Sequence, residues 1–259
     1  MIYLEFTINE LITLFSLIFL AGFVDSISGG GGLISLPAYL FLGLPSHNAL
    51  ATNKLSSSIG TTLSTLRYAK GKFIVFEVAL FSVIFSFAGS FIGANLALLV
   101  SENKLKIVIS VLVVMAAFLL LFRTNDKAKK LRQGVNLSRI KKILISSLIG
   151  FLVGMYDGFF GPGTGTFLVI LYINFLFFEP VKASGTSKIV NLASNISALI
   201  TFILEHKVVY SIGLPAAFFG ILGNWLGSGL AIKKGERIIR PVIIIVLFLL
   251  FIKILKDII

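Results

Sequence analysis

Two lysines and two aspartates stand inside otherwise apolar stretches of this sequence, and they recur at matching places in its two halves. Asp25 precedes a run of glycines, and the tripeptide Thr-Asn-Lys that ends at Lys54 follows further along. Asp157 precedes a Gly-Pro-Gly-Thr-Gly segment, and a Thr-Ser-Lys tripeptide then ends at Lys188. Ionisable residues are rare in membrane-spanning segments because they are costly to insert, and those that occur usually serve transport. The duplication therefore predicts a membrane transport site assembled from two related halves.

The two lysines are the first candidates to bind a substrate. A lysine ammonium is a compact positive charge that suits a sulfonate, sulfite or carboxylate group. Because Lys54 and Lys188 occupy equivalent positions, we expect both to face an anion inside the membrane. Two other interpretations stay open: each side chain could extend to the membrane interface, or each could form a purely structural ion pair.

The two glycine-rich segments are the second part of the predicted site. Glycine lets the backbone leave helical geometry and approach a ligand closely. If a helix restarts after each segment, its free N–H groups and its positive dipole end favour an anion. The alternative is that these glycines only allow close helix packing. The residues concerned are Gly29, Gly30, Gly31 and Gly32 in the first half and Gly161, Gly163, Thr164 and Gly165 in the second.

Other polar residues complete the candidate site. Asp25 and Asp157 can pair with a lysine, cap a broken helix or carry a proton during transport, and the sequence leaves these roles open. Asn191 and Asn195 share one helical face with Lys188, so that face offers a cation and two amides. The remaining candidates are the residues directly before the two lysines, Asn53 and Ser187.

The composition indicates that lipid surrounds most of the chain. Hydrophobic residues make up 57% of the 259 residues, charged residues only 13%, and the mean hydropathy is +1.01. Soluble proteins have about 25% charged residues, and a soluble core of this size does not need so much apolar surface. The net charge of +12 does not indicate nucleic-acid binding, because the cations cluster between hydrophobic runs. The absence of cysteine excludes disulfides and thiolate metal sites.

Apolar runs divide the chain into two similar sets. Most are long enough for a helix to cross the bilayer, which takes about 20 residues. The run after each glycine-rich segment is shorter and is expected to be a half-helix or part of a re-entrant hairpin. The runs are 8–25, 33–43, 48–69, 74–99 and 104–122, then 143–158, 163–178, 183–204, 208–231 and 238–256.

These runs predict an all-α integral membrane protein with two inverted-topology repeats of about five hydrophobic segments each. The first repeat is 1–122, a basic linker covers 123–142, and the second repeat is 143–259. Because cytoplasmic loops carry an excess of Lys and Arg, the linker is expected in the cytoplasm, which puts both termini outside. The similar segments 88–97 and 222–231 then have opposite directions, which predicts the inversion.

The glycine and lysine motifs together resemble a known family. Gly-Gly-Gly-Gly-Leu-x-Ser-Leu-Pro, Thr-Asn-Lys and their second-half counterparts are similar to the TauE/SafE sulfite and sulfonate exporters, part of the wider TSUP group of membrane permeases. The resemblance covers about residues 12 to 255. It implies a multi-pass carrier in the plasma (inner) membrane of a prokaryote that moves small organosulfur anions such as sulfite or sulfoacetate. It also implies that the glycine-rich segments, Asn53, Lys54, Ser187, Lys188 and Asn191 form the substrate site.

The expected function is secondary transport by alternating access at a site near the membrane midplane. The expected partners are a small anion and the lipid bilayer, with a coupling ion and the oligomeric state left open. An anion channel is one alternative, because a channel can use the same cations and helix ends. A carrier for a small carboxylate without sulfur is another. An enzyme, a cofactor and a metal centre are not predicted, since the sequence has no HExxH motif and no histidine placed beside a nucleophile.

Overall fold

A computed structural model gives the fold of residues 6–102, 104–105, 137–235, 237–239 and 241–242. The regular structure of these residues is helical, which confirms the all-α prediction. In the first half of the chain the main helices are α1 (Ile8–Ser28), α2 (Gly32–Phe41), α3 (Ser46–Lys70) and α4 (Phe76–Leu99). In the second half they are α5 (Arg139–Phe159), α6 (Thr164–Phe175), α7 (Pro180–Leu204) and α8 (Tyr210–Lys234).

Both glycine-rich segments interrupt the helices, as the sequence predicts. Helix α1 ends at Gly29, which adopts a left-handed conformation (φ 81°) that an L side chain rarely takes. Helix α2 starts three residues later. In the second half, Gly163 (φ 85°) stands directly before α6 and has the same left-handed conformation. Each long helix is therefore followed, after a short irregular segment, by a short helix.

The matching segments 88–97 and 222–231 pack in the same way. Gly89 and Gly93 of α4 lie against backbone carbonyls of α5, and Gly223 and Gly227 of α8 lie against backbone carbonyls of α1. A Cβ atom at any of the four would overlap the neighbouring helix. Small residues at this spacing let two membrane helices approach closely enough for extensive van der Waals contact. The spacing found in the sequence thus identifies two helix–helix interfaces.

The last long helix that the structure describes in each half packs against the other half. Helix α4 contacts α5 and α7, whereas α8 contacts α1 and α3. Helices α3 and α7, which carry the two lysines, also contact each other. In this exchange of helices, each half contributes one helix that packs on the other half. Helices α3 and α7 are therefore surrounded by other helices, so their lysines can be buried in a small bundle.

Within the described residues, five helices are long and apolar enough to cross a membrane: α1, α4, α5, α7 and α8. Large apolar side chains such as Phe91 and Trp225 are exposed on them, as expected for surfaces that face lipid. Helix α3 is equally long but rich in Ser and Thr, many of which are buried against other helices. The chain is therefore a membrane protein with several spanning helices. The predicted runs 104–122 and 238–256 lie largely outside the described residues, as does 123–136 of the linker.

Candidate functional site

The two buried lysines form ion pairs that cross between the halves of the chain. The Lys54 ammonium lies 2.8 Å from the Asp157 carboxylate, and the Lys188 ammonium lies 2.8 Å from the Asp25 carboxylate. Lys54 is 1% exposed and Lys188 is 0% exposed, so neither side chain extends to the surface. Each pair joins a lysine on α3 or α7 to an aspartate near the end of α5 or α1.

Burial makes this pairing energetically necessary. A buried ion pair that loses one member leaves an uncompensated charge, which costs about 3–5 kcal/mol. In the conformation described here, each lysine charge is balanced by an aspartate of the protein itself. An anionic ligand can bind either lysine only if it replaces the aspartate or if the aspartate finds another positive partner.

The Lys54–Asp157 pair is the more enclosed of the two. The Lys54 ammonium also donates a hydrogen bond to the side-chain oxygen of Asn195 at 2.9 Å, and the Thr164 hydroxyl donates to Asp157 at 2.8 Å. The side chain of Asp157 is 2% exposed, whereas that of Asp25 is 17% exposed. Asn195, expected on the face of Lys188, thus binds the lysine of the other half.

The two glycine-rich segments touch each other between these ion pairs. The carbonyl oxygen of Gly29 accepts hydrogen bonds from the Thr166 backbone N–H at 3.1 Å and from the Thr166 hydroxyl at 2.8 Å. A Cβ atom on Gly29 or on Gly165 would overlap the other segment. Glycine is needed at both positions because backbone meets backbone with no room for a side chain.

The threonine of each Thr-x-Lys motif joins its helix to the start of another. The Thr52 hydroxyl accepts a hydrogen bond from the Val209 N–H, and the Thr186 hydroxyl accepts one from the Val75 N–H, both at 3.1 Å. Val209 and Val75 directly precede α8 and α4, where backbone N–H groups lack partners within the helix. This structural role is not predicted from the sequence, although the repeated threonine is a signal for it.

A small cavity lies beside Asp25, and several residues that line it were not predicted. Its volume is about 30 Å³, whereas a cavity needs only roughly 10–15 Å³ to hold one water molecule. Gly31 and Gly32 of the first glycine-rich segment form part of its wall. The polar residues around it are Asp25, Ser35, Ser56, Ser57, Thr61 and Asn224. No sequence signal marked Asn224, because helix α8 reaches the site only through its contacts with the first half.

The remaining candidates differ in how close they come to the ion pairs. Gly161 lies against the Lys54 ammonium, whereas Gly163 lies against the Phe167 ring instead. The Ser187 hydroxyl donates to the Ser184 carbonyl of its own helix at 2.8 Å, so it is not directed at Lys188. The other three candidates, Gly30, Asn53 and Asn191, are buried in the first glycine-rich segment, α3 and α7 respectively.

A second polar cluster lies away from the ion pairs, at the start of α3. The Glu102 carboxylate accepts hydrogen bonds from the backbone N–H groups of Ser46 and His47 at 2.7 and 3.2 Å, and the His47 ring lies 2.7 Å away. Burial alone would raise the pKa of Glu102, but these hydrogen bonds outweigh it and lower the pKa below its usual value. This cluster holds the end of α4 against the start of α3.

The helices, the interrupted segments and the crossed ion pairs define a membrane protein with an internal polar centre. The family description Sulfite exporter TauE/SafE matches residues 14–254 of the sequence. The chain belongs to the TauE/SafE family. The resemblance that the motifs indicated is therefore confirmed over nearly the whole chain.

Several proteins similar to this chain are named as probable membrane transporters. The chain is 35% identical to the probable membrane transporter protein YfcA of Escherichia coli (strain K12), over 94% of this chain and 89% of that protein. It is 36% identical to the probable membrane transporter protein ORF9 of Sinorhizobium sp, over 94% and 92%. A probable membrane transporter protein of Haemophilus influenzae is 32% identical over 98% of both chains. No solved structure matches the chain. The family and these names indicate a membrane transporter and not an enzyme.

Proposed function

We propose that this TauE/SafE protein is a secondary transporter that carries small organosulfur anions, such as sulfite or sulfoacetate, across the plasma membrane by alternating access. The observation that carries the proposal is the pair of crossed Lys–Asp contacts at the point where the two glycine-rich segments meet. Buried ionisable residues inside a membrane bundle mark substrate or ion pathways, and interrupted helices commonly form the binding site. The family name adds the substrate class.

The proposed substrate groups are the two lysines and the backbone around the glycine-rich segments. An anion that enters between the halves would replace Asp157 at Lys54 or Asp25 at Lys188, so the two ion pairs would open as substrate binds. Gly161 and Thr164 are already next to the first pair, and Gly31 and Gly32 are next to the second. The backbone N–H groups at the starts of α2 and α6 would add favourable dipoles for an anion.

We also propose that the two halves are inverted repeats and that α2 and α6 are re-entrant. Contacts around the equivalent helices α3 and α7 support the inversion. Asn48, near the start of α3, donates to the Lys207 carbonyl just beyond the end of α7. Thr186, near the start of α7, accepts from Val75 just beyond the end of α3. Helices α3 and α7 would therefore run in opposite directions, as inverted repeats require. With the linker 123–142 in the cytoplasm, the starts of α4, α5 and α7 would face inward and the starts of α1, α3 and α8 outward.

Counterflow in liposomes tests the proposed function. Purified protein is reconstituted with a high internal concentration of unlabelled sulfoacetate, and the uptake of external labelled sulfoacetate is measured. A carrier exchanges one for the other, so internal substrate accelerates uptake, whereas a channel gives no such stimulation. Sulfite, thiosulfate, acetate and chloride replace internal sulfoacetate in parallel samples. Counterflow of labelled acetate against internal acetate, in a protein that shows none with sulfoacetate, would indicate a carboxylate carrier and contradict the substrate class.

Lysine variants connect this transport to the proposed site. Lys54→Ala and Lys188→Ala should each slow counterflow by about 10- to 100-fold, which corresponds to the loss of one charge-assisted hydrogen bond. Lys182→Ala is the matched control, because Lys182 lies on the same helix as Lys188 but is exposed, 3.6 Å from Glu179. Normal counterflow in both buried-lysine variants would contradict the proposed site.

A further inference from the structure

The cavity beside Asp25 has an acceptor that lacks a partner. Asn224 is 3% exposed, and its side-chain oxygen accepts no hydrogen bond within the described residues. Its side-chain nitrogen donates to the Gly220 carbonyl at 3.0 Å, which fixes the orientation of the amide. Gly22 and Gly60 also lie against that nitrogen. The oxygen is therefore the atom of Asn224 that is free to bind a ligand, and a buried amide oxygen without a partner is costly.

Two hydroxyl groups that line the cavity donate their protons to backbone carbonyls, so they offer lone pairs to a ligand in the cavity. Ser35 donates its proton to the Gly31 carbonyl at 3.2 Å, and Ser56 donates to the Asn53 carbonyl at 3.2 Å. A hydroxyl has one proton and two lone pairs. The Ser35 oxygen therefore keeps two lone pairs, and the Ser56 oxygen, which also accepts from the Tyr39 hydroxyl at 2.8 Å, keeps one. Together with the Asp25 carboxylate, these groups give the cavity an oxygen-rich, negatively polarised wall.

The equivalent position in the second half differs at three of the polar residues. Aligning Asp25 with Asp157 and Lys54 with Lys188 places Phe167 where Ser35 stands and Val190 where Ser56 stands. Ser90 stands where Asn224 does, and its hydroxyl donates to the Ser194 carbonyl at 2.6 Å. Ser57 and Thr61 correspond to Asn191 and Asn195, and the Asn195 oxygen already binds Lys54. The cavity lies on the Asp25 side, where the aspartate is also the more exposed of the two.

We propose that this cavity binds one Na⁺ ion, held by the Asp25 carboxylate, the Asn224 side-chain oxygen and hydroxyl oxygens of Ser35, Ser57 or Thr61. Carboxylate, carbonyl and hydroxyl oxygens are the ligands that hard cations prefer. Interrupted helices supply similar oxygen atoms to coupling ions in other transporters. The small volume suits a single ion that has lost most of its water.

The ion would couple cation binding to anion binding through the Lys188–Asp25 pair, and this step rests on the proposed function. While Asp25 holds Lys188, the lysine charge is already balanced. A cation beside Asp25 supplies a second positive partner for the carboxylate and frees Lys188 for an anion. Na⁺ and the anion would therefore bind together, in a ratio of one Na⁺ per transport cycle.

Thermal unfolding of the purified protein in NaCl, KCl and choline chloride, at equal ionic strength and pH 8, tests the site without any substrate. At about a hundredfold excess over its Kd, Na⁺ should raise the Tm of the wild type by about 5 °C relative to choline. Asn224→Ala and the nearly isosteric Thr61→Val should each lose most of that rise. Asn95→Ala is the matched control, because Asn95 makes the same kind of bond to a carbonyl four residues earlier but is exposed.

Equal Tm values of the wild type in NaCl and choline chloride would overturn the proposal, and so would a Na⁺ response that survives in both Asn224→Ala and Thr61→Val. If acidification stabilises the protein while Na⁺ does not, Asp25 takes a proton and the Na⁺ site is wrong. The two proposals fail separately. Na⁺ binding without sulfoacetate counterflow would contradict only the proposed substrate. Counterflow whose rate does not depend on Na⁺, in a protein whose Tm does not rise in Na⁺, would contradict only the ion site.

Discussion

At the scale of single residues, the crossed ion pairs give the sharpest expectations. Removing one member of a buried pair should destabilise the fold by about 3–5 kcal/mol, because the other charge stays buried without a partner. Lys54→Ala should cost more than Lys188→Ala, since Asp157 is 2% exposed and Asp25 is 17% exposed. Thermal unfolding in detergent measures the difference. A larger loss for Lys188→Ala would contradict the burial argument.

Double variants separate the structural role of each pair from its role in transport. Asp25→Asn with Lys188→Met, and Asp157→Asn with Lys54→Met, remove both charges and should regain most of the lost stability. Counterflow should stay at the level of the single variants, because the positive charge for the anion is still missing. Transport at the wild-type rate in a stable double variant would show that the pair is purely structural.

The cluster at the start of α3 predicts a dependence of stability on pH. The pKa of Glu102 is lowered in the folded state, so its contribution is complete above the unfolded pKa of about 4.3 and is lost as pH falls through the folded pKa. Glu102→Gln should therefore cost about 0.3–1 kcal/mol at pH 7, as for an anion at a helix start, and less at lower pH. Tm measured from pH 7 down to about pH 2 checks this, because the difference should shrink only below about pH 4.3. Glu205→Gln, which changes an exposed residue, is the control. A constant difference between Glu102→Gln and wild type over that range would contradict it.

At this scale the sequence gives the identity of the charged groups but not their partners. Both lysines and both aspartates stand out because they are duplicated in apolar sequence. Which lysine meets which aspartate depends on how α1, α3, α5 and α7 come together, and spacing along the chain does not contain that information. Asn224 could not be predicted for the same reason, since it lines the cavity beside Asp25 only because α8 packs on α1.

At the scale of helices, the contact between the two glycine-rich segments can be tested with a matched pair of glycines. Gly29 and Gly43 both have left-handed backbone conformations (φ 81° and 88°), but a Cβ on Gly29 would overlap Gly165 while one on Gly43 would meet nothing within 4 Å. Gly43→Ala should cost only the conformational strain of about 1–2 kcal/mol. Gly29→Ala should cost more and should abolish counterflow, because it forces the two segments apart. Thermal unfolding and counterflow of both variants measure the difference, and equal effects would contradict the importance of this contact.

Helix positions were largely predictable, because long apolar runs and glycine breaks are local signals. The runs 33–43 and 163–178 correspond to α2 and α6, and the run 48–69 corresponds to α3. Hydropathy alone does not mark α3 as a membrane span, since its serines and threonines lower its mean. It can nonetheless lie inside the bundle, because its polar face is enclosed by α2, α7 and α8 and does not meet lipid.

At the scale of the whole molecule, the exchange of α4 and α8 makes each half incomplete without the other. Helix α8 closes the polar cavity of the first half, and α4 packs the equivalent region of the second. The sequence could show the small-residue spacing on both helices but not which partner each would choose. A shared interior of this kind suits a carrier, because movement between the halves changes both ion pairs at once.

Opposite orientation of the halves can be measured directly, because the chain has no cysteine and every introduced thiol is unique. Lys70 and Glu205 are both exposed and lie at equivalent ends of α3 and α7. If the halves are inverted and the linker is cytoplasmic, Glu205→Cys should react with a membrane-impermeant maleimide on intact cells. Lys70→Cys should react only after permeabilisation, because the excess of cations near it predicts a cytoplasmic end. Labelling of both cysteines from the same side would contradict the inverted repeat. Labelling of Lys70→Cys on intact cells, with Glu205→Cys labelled only after permeabilisation, would agree with the inversion and contradict only the cytoplasmic linker.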